Sequence, residues 1–189
     1  MVIVGIDPGT ATTGWGVIEI QNSRFDGRQA KLKIKNVKAN GRQIKLVDFG
    51  CIVTEPTSEM GDRLLILSKA LRSLIKTHQP NLMVIEKLFF GANSTSALSV
   101  GQARGVVLLV ASENKVSVSE YTGLEVKLSV AGHGRADKNT VQTAVRKHLN
   151  VRKLPNPKDH QGKEVFRFRD DAYDAVAAAI CYVIKSENT

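Results

Sequence analysis

Cysteine is scarce in this chain: Cys51 and Cys181 are the only two among 189 residues, and they form no Cys-x-x-Cys pair. That excludes a disulfide framework and points to a reducing compartment. Long apolar runs are also missing. A stretch such as Ala175–Ile184 falls far short of the roughly 20 residues that cross a bilayer. The opening MVIVGIDPGT has no basic n-region and reaches an acid at Asp7, so no signal peptide is read there. A soluble, cytoplasmic protein is expected. The catalytic signatures of several enzyme classes are absent too. His78, His133, His148 and His160 make no HExxH or paired spacing, no Walker A loop occurs, and no serine sits in a GxSxG elbow. Acids are outnumbered, 18 against 27 Lys and Arg, for a formal net charge of +9. Such a balance favours an anionic partner, nucleic acid first.

What is present suits one globular α/β domain spanning residues 1–189, with a normal 42% of hydrophobic residues. Residues 2–7 read as a buried strand closed by the Pro8-Gly9 turn. Strands are also expected at 13–20, 44–53, 82–86 and 116–119, giving a five-stranded mixed sheet. Leu64, Leu67, Leu71, Leu74 and Ile75 recur at helical spacing over 62–77. Further helices are expected near 95–112, 123–130, 137–149 and 171–184, so helices flank the sheet.

Two segments stand apart. Residues 22–45 hold eight basic residues (Arg24, Arg28, Lys31, Lys33, Lys35, Lys38, Arg42, Lys45) and one acid, Asp26, a net +7. The alternation Lys31-Leu32-Lys33-Ile34-Lys35 and the turn dipeptide Asn40-Gly41 predict a basic β-arm growing from the second and third strands. Residues 150–169, with Pro155, Pro157 and Gly162, read as a loop that places Arg167 and Arg169 close to Asp171.

The acids carry the chemistry. Asp7 ends the first strand on the face shared by Ile3 and Gly5, and Glu86 ends the other wholly apolar strand. A carboxylate at the end of a buried strand is costly unless it points into a site. Asp171 and Asp174 share one face of the last helix near its N-terminus, where the macrodipole favours negative charge. Taken singly, each acid also reads as a turn, cap or solvated residue. Together they are a set of oxygen ligands for hard divalent cations, and packed carboxylates repel unless a cation joins them.

The order Asp, Glu, Asp-x-x-Asp, with GIDPGTATTGWGVI at 5–18, IEKLFF at 85–90, SALSVGQARGVV at 96–107, EYTGLEVKLSVAGHGRADKNTVQ at 120–142 and DDAYDAVAAAI at 170–180, resembles the RuvC family of Holliday-junction resolvases. The match covers most of the chain outside 22–45 and 150–169, both longer than is usual for the family. The resemblance implies a ribonuclease-H-like fold and hydrolysis of DNA by water, leaving 5′-phosphate and 3′-hydroxyl ends. It makes Asp7, Glu86, Asp171 and Asp174 the metal ligands and catalytic residues, with two Mg²⁺ or Mn²⁺ ions per site. Asp170 lies outside the matched pattern. The resemblance puts Lys127 and Lys138 near the scissile phosphate and makes Phe89 the aromatic that stacks at the opened junction. Read alone, these three are solvated lysines and a core phenylalanine. Four-way junction DNA is the implied substrate, and the RuvA–RuvB branch-migration complex an implied partner. Paired symmetric nicks call for a twofold homodimer. The 95–112 helix, apolar around much of its circumference with Gly101 and Gly105 four apart, suits that interface, although a helix buried on the sheet has the same pattern.

Three other readings stay open at this level. Asp7-Pro8-Gly9-Thr10 also begins nucleotide-binding kinases and ATPases of the same superfold. A ribonuclease-H-like nuclease acting on hybrids or other branches has the same acids. A junction binder without catalysis is the third.

Overall fold

The computed structural model describes residues 1–22, 42–87 and 94–187. Most of the 22–45 arm, and Phe89, lie outside the described residues. A mixed sheet organises the chain: β1 (Val2–Asp7), β2 (Thr12–Asn22), β3 (Arg42–Val53), β4 (Leu82–Lys87), β5 (Ser117–Thr122) and β6 (Lys158–Asp159), in the order β5-β4-β1-β2-β3-β6. Among the described residues the sheet has six strands where the sequence predicts five. The sixth is two residues long, pairs in parallel with Gly50 and Cys51 of β3, and lies inside the expected 150–169 loop. Two residues cannot display a period of two, so no alternation betrays it.

β1, β2 and β3 form an antiparallel meander. β4 and β5 then add in parallel on the other side of β1. The helices α1 (Met60–His78), α2 (Ser94–Glu113), α3 (Gly123–Ala131), α4 (Lys138–Leu149) and α5 (Arg169–Ser186) cover both faces. Strand parity decides which residues meet which layer. Val4, Ile6, Met83 and Ile85 pack with Leu67, Leu71, Val107 and Val110 of α1 and α2. Ile3, Leu82 and Val84 pack with Val126, Val145, Val176 and Ile180 of α3, α4 and α5. Asp7 and Glu86 therefore belong to the α5 side.

Helix ends follow ordinary capping. Thr122 closes a capping box on α3, accepting from the Glu125 amide while Glu125 accepts from the Thr122 amide. Asp137 caps α4 through the Thr140 amide at 2.7 Å, and Asn150 ends that helix in the left-handed conformation. Among the described residues no helix is long and apolar enough to cross a membrane.

Candidate active site

Register fixes the first two acids. Ile6 of β1 lies opposite Ile85 of β4, so Asp7, the last residue of β1, and Glu86, the last but one of β4, lie side by side on the same face of adjacent parallel strands. β1 stops there because Pro8 removes a donor and the chain turns. The turn is held firmly. The Thr13 hydroxyl donates to the Gly9 carbonyl at 2.6 Å, the Thr54 hydroxyl donates to the Thr10 carbonyl at 2.5 Å, and Arg63 donates to Thr54 at 3.0 Å. Both threonines are buried, so this hydrogen bonding satisfies polar groups that would otherwise destabilise the interior.

The second pair arrives on α5, and glycines let it come close. A methyl group on Gly5 would overlap the Ala175 carbonyl; on Gly14, the Asp171 carbonyl; on Gly16, the Val176 side chain. Gly14 is the cross-strand partner of Asp7 and Gly16 that of Gly5. Only side-chain-free positions here allow a helix to lie with its backbone against the sheet. The alanines of α5, Ala172, Ala175 and Ala179 among them, complete that contact and are fully buried. Asp171 and Asp174 are thereby brought to the end of β1. Gly123 plays the same part for Glu86, because a Cβ there would stand 2.6 Å from its Oε1.

The carboxylates feel one another. Burial first, then the charges of Glu86, Asp174 and Asp171, hold the Asp7 carboxyl well above its usual range. Burial, with the Asp174 charge next, pushes Glu86 up to about 7. Burial raises Asp174 to about 6, against the pull of Lys138, and raises Asp171 as well. These four acids are thus one electrostatic unit drawn from three distant stretches of chain. As they stand they are not a closed ligand shell: among the described residues no three acidic, histidine or cysteine side chains are grouped to hold an ion. The donor set still fits a hard divalent cation, because it is all oxygen, partly desolvated and short of positive charge.

Both expected lysines reach this unit. The Lys127 charge on α3 acts on Glu86 and Asp174. Lys138, at the start of α4, acts on Asp7, Asp171 and Asp174 while its Nζ donates to Asp170 Oδ2 at 3.2 Å. Asp170 is held from the other side by Gln142, which is buried and donates from Nε2 to Oδ1 at 2.7 Å. Asp170 therefore faces a lysine and an amide. Sequence reading did not single out Gln142, Gly14 or Gly123. Gly14 could have been found by pairing the expected first two strands, which sets it opposite Asp7; Gly123, at the start of α3, lies outside that pairing.

The family model for crossover junction endodeoxyribonuclease RuvC matches residues 26–182. A Caldicellulosiruptor saccharolyticus protein described as crossover junction endodeoxyribonuclease RuvC is 37% identical over 188 residues, which is 100% of this chain and 95% of that protein. A Desulfitobacterium hafniense protein of the same description is 41% identical over 182 residues, covering 96% of this chain and 92% of the other. The structure of T. thermophilus RuvC in complex with a Holliday junction substrate superposes with a TM-score of 0.77 at 26% identity, covering 100% of this chain and 96% of that one. RuvC structures have the ribonuclease-H-like fold, which agrees with the mixed sheet and flanking helices found here. With sequence order, sheet register and full-length similarity in agreement, this chain belongs to the RuvC family of crossover junction endodeoxyribonucleases.

Proposed function

We propose that this protein resolves four-way DNA junctions by paired symmetric nicks, with Asp7, Glu86, Asp171 and Asp174 as the catalytic and metal-holding residues. The observation that supports the reading is that Asp7 and Glu86 stand side by side on β1 and β4 while α5 seats Asp171 and Asp174 against the same end of the sheet, where burial and mutual charge raise the carboxyls. Mg²⁺ is the cation favoured, with Mn²⁺ an alternative and two ions per site. Bound there, divalent cations supply Lewis acidity at the phosphate and lower the pKa of the attacking water.

The chain's own groups do the rest. Asp7 and Glu86 stand on adjacent strands and cannot drift apart without breaking the sheet. Asp171 and Asp174 ride on a helix seated on glycine, so their backbone positions are equally fixed. Lys127 and Lys138 bring positive charge to the rim, where a scissile phosphate gathers negative charge in the transition state. Phe89, three residues after Glu86, is the proposed aromatic at the opened junction.

Two cuts across one junction need two copies of this site. α2 offers the surface: Leu98 and Leu109 are 70% and 56% exposed, and Gly101 and Gly105 have open space where a side chain would stand. A homodimer through this face is the proposed assembly. The RuvA–RuvB complex is the proposed partner on junction DNA, and the cytoplasm the proposed place of work.

The test is a synthetic four-way junction incubated with and without Mg²⁺. Symmetric, ligatable nicks that require the metal are expected. Asp7→Asn should bind the junction with wild-type affinity and cut it at least 100-fold more slowly. Cleavage by that variant at the wild-type rate would end the assignment of these acids.

A further inference from the structure

Between α4 and α5 the chain reads Phe166-Arg167-Phe168-Arg169. A 3-10 turn over Phe166–Phe168 sends the two rings to different surroundings. Phe168 is half-buried against the core, and its carbonyl accepts from the Cys51 thiol at 3.2 Å. Phe166 is 63% exposed, and the Arg169 guanidinium lies over its ring at 5.0 Å from the centroid. Arg167 is exposed beside it, 5.8 Å from the Phe168 ring.

Arg169 is tied inward. Its Nη2 donates to Gln142 Oε1 at 3.3 Å, Gln142 donates to Asp170, and Asp170 accepts from Lys138. An unbroken chain of contacts thus runs from an exposed aromatic ring to the lysine whose charge reaches three of the four acids. Gln142 is buried, so its bonds to Asp170 and Arg169 also satisfy its amide, but the Phe166 ring at the outer end of the chain stands in solvent. A planar ring with a guanidinium against it, flanked by a second arginine, has the chemistry of a nucleobase platform: aromatic stacking, cation–π attraction and a phosphate clamp.

We propose that Phe166 and Arg169 form a stacking subsite for an unpaired base of the DNA strand next to the scissile phosphate, with Arg167 on an adjoining phosphate. This rests on the junction-cutting reading above. The ligand is an unpaired base because the faces of paired bases are covered by their neighbours in a duplex, and strand exchange at a four-way junction interrupts that stacking. It is nucleic acid because the flanking charges are both guanidinium groups, which suit phosphate. The Gln142–Asp170–Lys138 chain fixes the distance between the stacked base and the acids, so Asp170 is a positioning residue and not a ligand.

The probe is a four-way junction carrying 2-aminopurine at each crossover-flanking position in turn, with a linear duplex of the same sequence as reference. Binding is measured in EDTA, so that no cutting intervenes. Phe166→Ala is expected to weaken junction binding about 5- to 150-fold, the range for losing one stacked base. Its duplex affinity stays at the wild-type value, and the 2-aminopurine quenching at one position disappears. Phe166→Trp restores junction affinity and adds a tryptophan emission that junction, but not duplex, quenches. Because Phe166 is exposed, both variants should melt with the wild type. If the wild type prefers junction over duplex and Phe166→Ala stays within twofold of it, the subsite is overturned while the parent reading stands. A wild type with no preference for the junction overturns both.

Discussion

At the scale of single residues, the acids at the end of β1 and β4 work against the fold that displays them. Burial and the Asp174 charge raise the Glu86 carboxyl from its ordinary 4.5 to about 7. A carboxyl with a higher pKa folded than unfolded keeps its proton longer in the native state. Below about pH 4.5 both states are protonated and nothing is lost. Between there and about pH 7 the unfolded state releases its proton first, so stability falls as pH rises. Glu125, on α3, has the opposite sign. Hydrogen bonds from Lys185 and from Thr122 lower it to about 2, so its contribution is full above about pH 4.5 and is lost progressively as pH falls towards 2. Comparing wild type with Glu86→Gln isolates the first effect. At pH 8, without metal, the variant should melt about 2–8 °C higher, corresponding to relief of about 1–2 kcal/mol. The difference should shrink towards pH 4.5, and saturating Mg²⁺ should raise only the wild type by binding its native state. Equal melting at pH 8, or a gap that widens on acidification, would contradict the repulsive cluster. All four acids were legible in the sequence as strand-end or helix-face carboxylates. Gln142 was not, because a buried glutamine on an amphipathic helix looks like any polar position until its neighbour, Asp170, is placed.

At the scale of elements, position depends on how closely α5 lies on the sheet. Gly14 admits the Asp171 carbonyl, so Gly14→Ala must either push α5 outward or bend β2. Overpacking of this kind costs about 1–3 kcal/mol, and for a domain this size that lowers the melting temperature by about 2–12 °C. More telling is the site: Asp171 moves away from Asp7, so Mg²⁺-dependent stabilisation and cleavage should both drop at least tenfold. Gly61→Ala is the control, because open space surrounds that position in α1. It should gain up to about 1 kcal/mol in helix stability and keep the site intact. A Gly14→Ala protein that cuts like the wild type would show that close seating of α5 is dispensable. Periodicity revealed these elements well. The expected helices at 62–77 and 137–149 correspond to α1 and α4, and the alternation in β1 assigned Gly5 and Asp7 to one face. It missed β6 because two residues carry no period, and it missed the exposure of Phe166 because a ring beside a 3-10 turn obeys none.

At the scale of the whole molecule, charge is distributed unevenly. The 22–45 arm holds +7 of the +9, so the rest of the chain is close to neutral. Its base is fixed: Asn22 at the end of β2 pairs with Arg42 at the start of β3. A concentration of lysine and arginine in one segment favours phosphate contacts over base contacts, which gives affinity without sequence choice. On the proposed reading the acids, by contrast, repel DNA until cations neutralise them. Binding and cutting are therefore expected to separate by segment. Replacing 24–42 with a two-residue Asn-Gly turn keeps the β2–β3 hairpin closed and removes seven basic residues. If about half of those meet phosphates, the slope of log affinity against log salt should flatten by about 3 units. At low salt the shortened protein should bind the junction at least tenfold more weakly, yet cut at the wild-type rate once DNA saturates it, because no acid has been touched. Affinity unchanged at low salt would show the arm to be a solvated extension that leaves DNA to the rim of the site. A fall in the saturated rate would place the arm nearer the scissile phosphate than the hairpin base suggests.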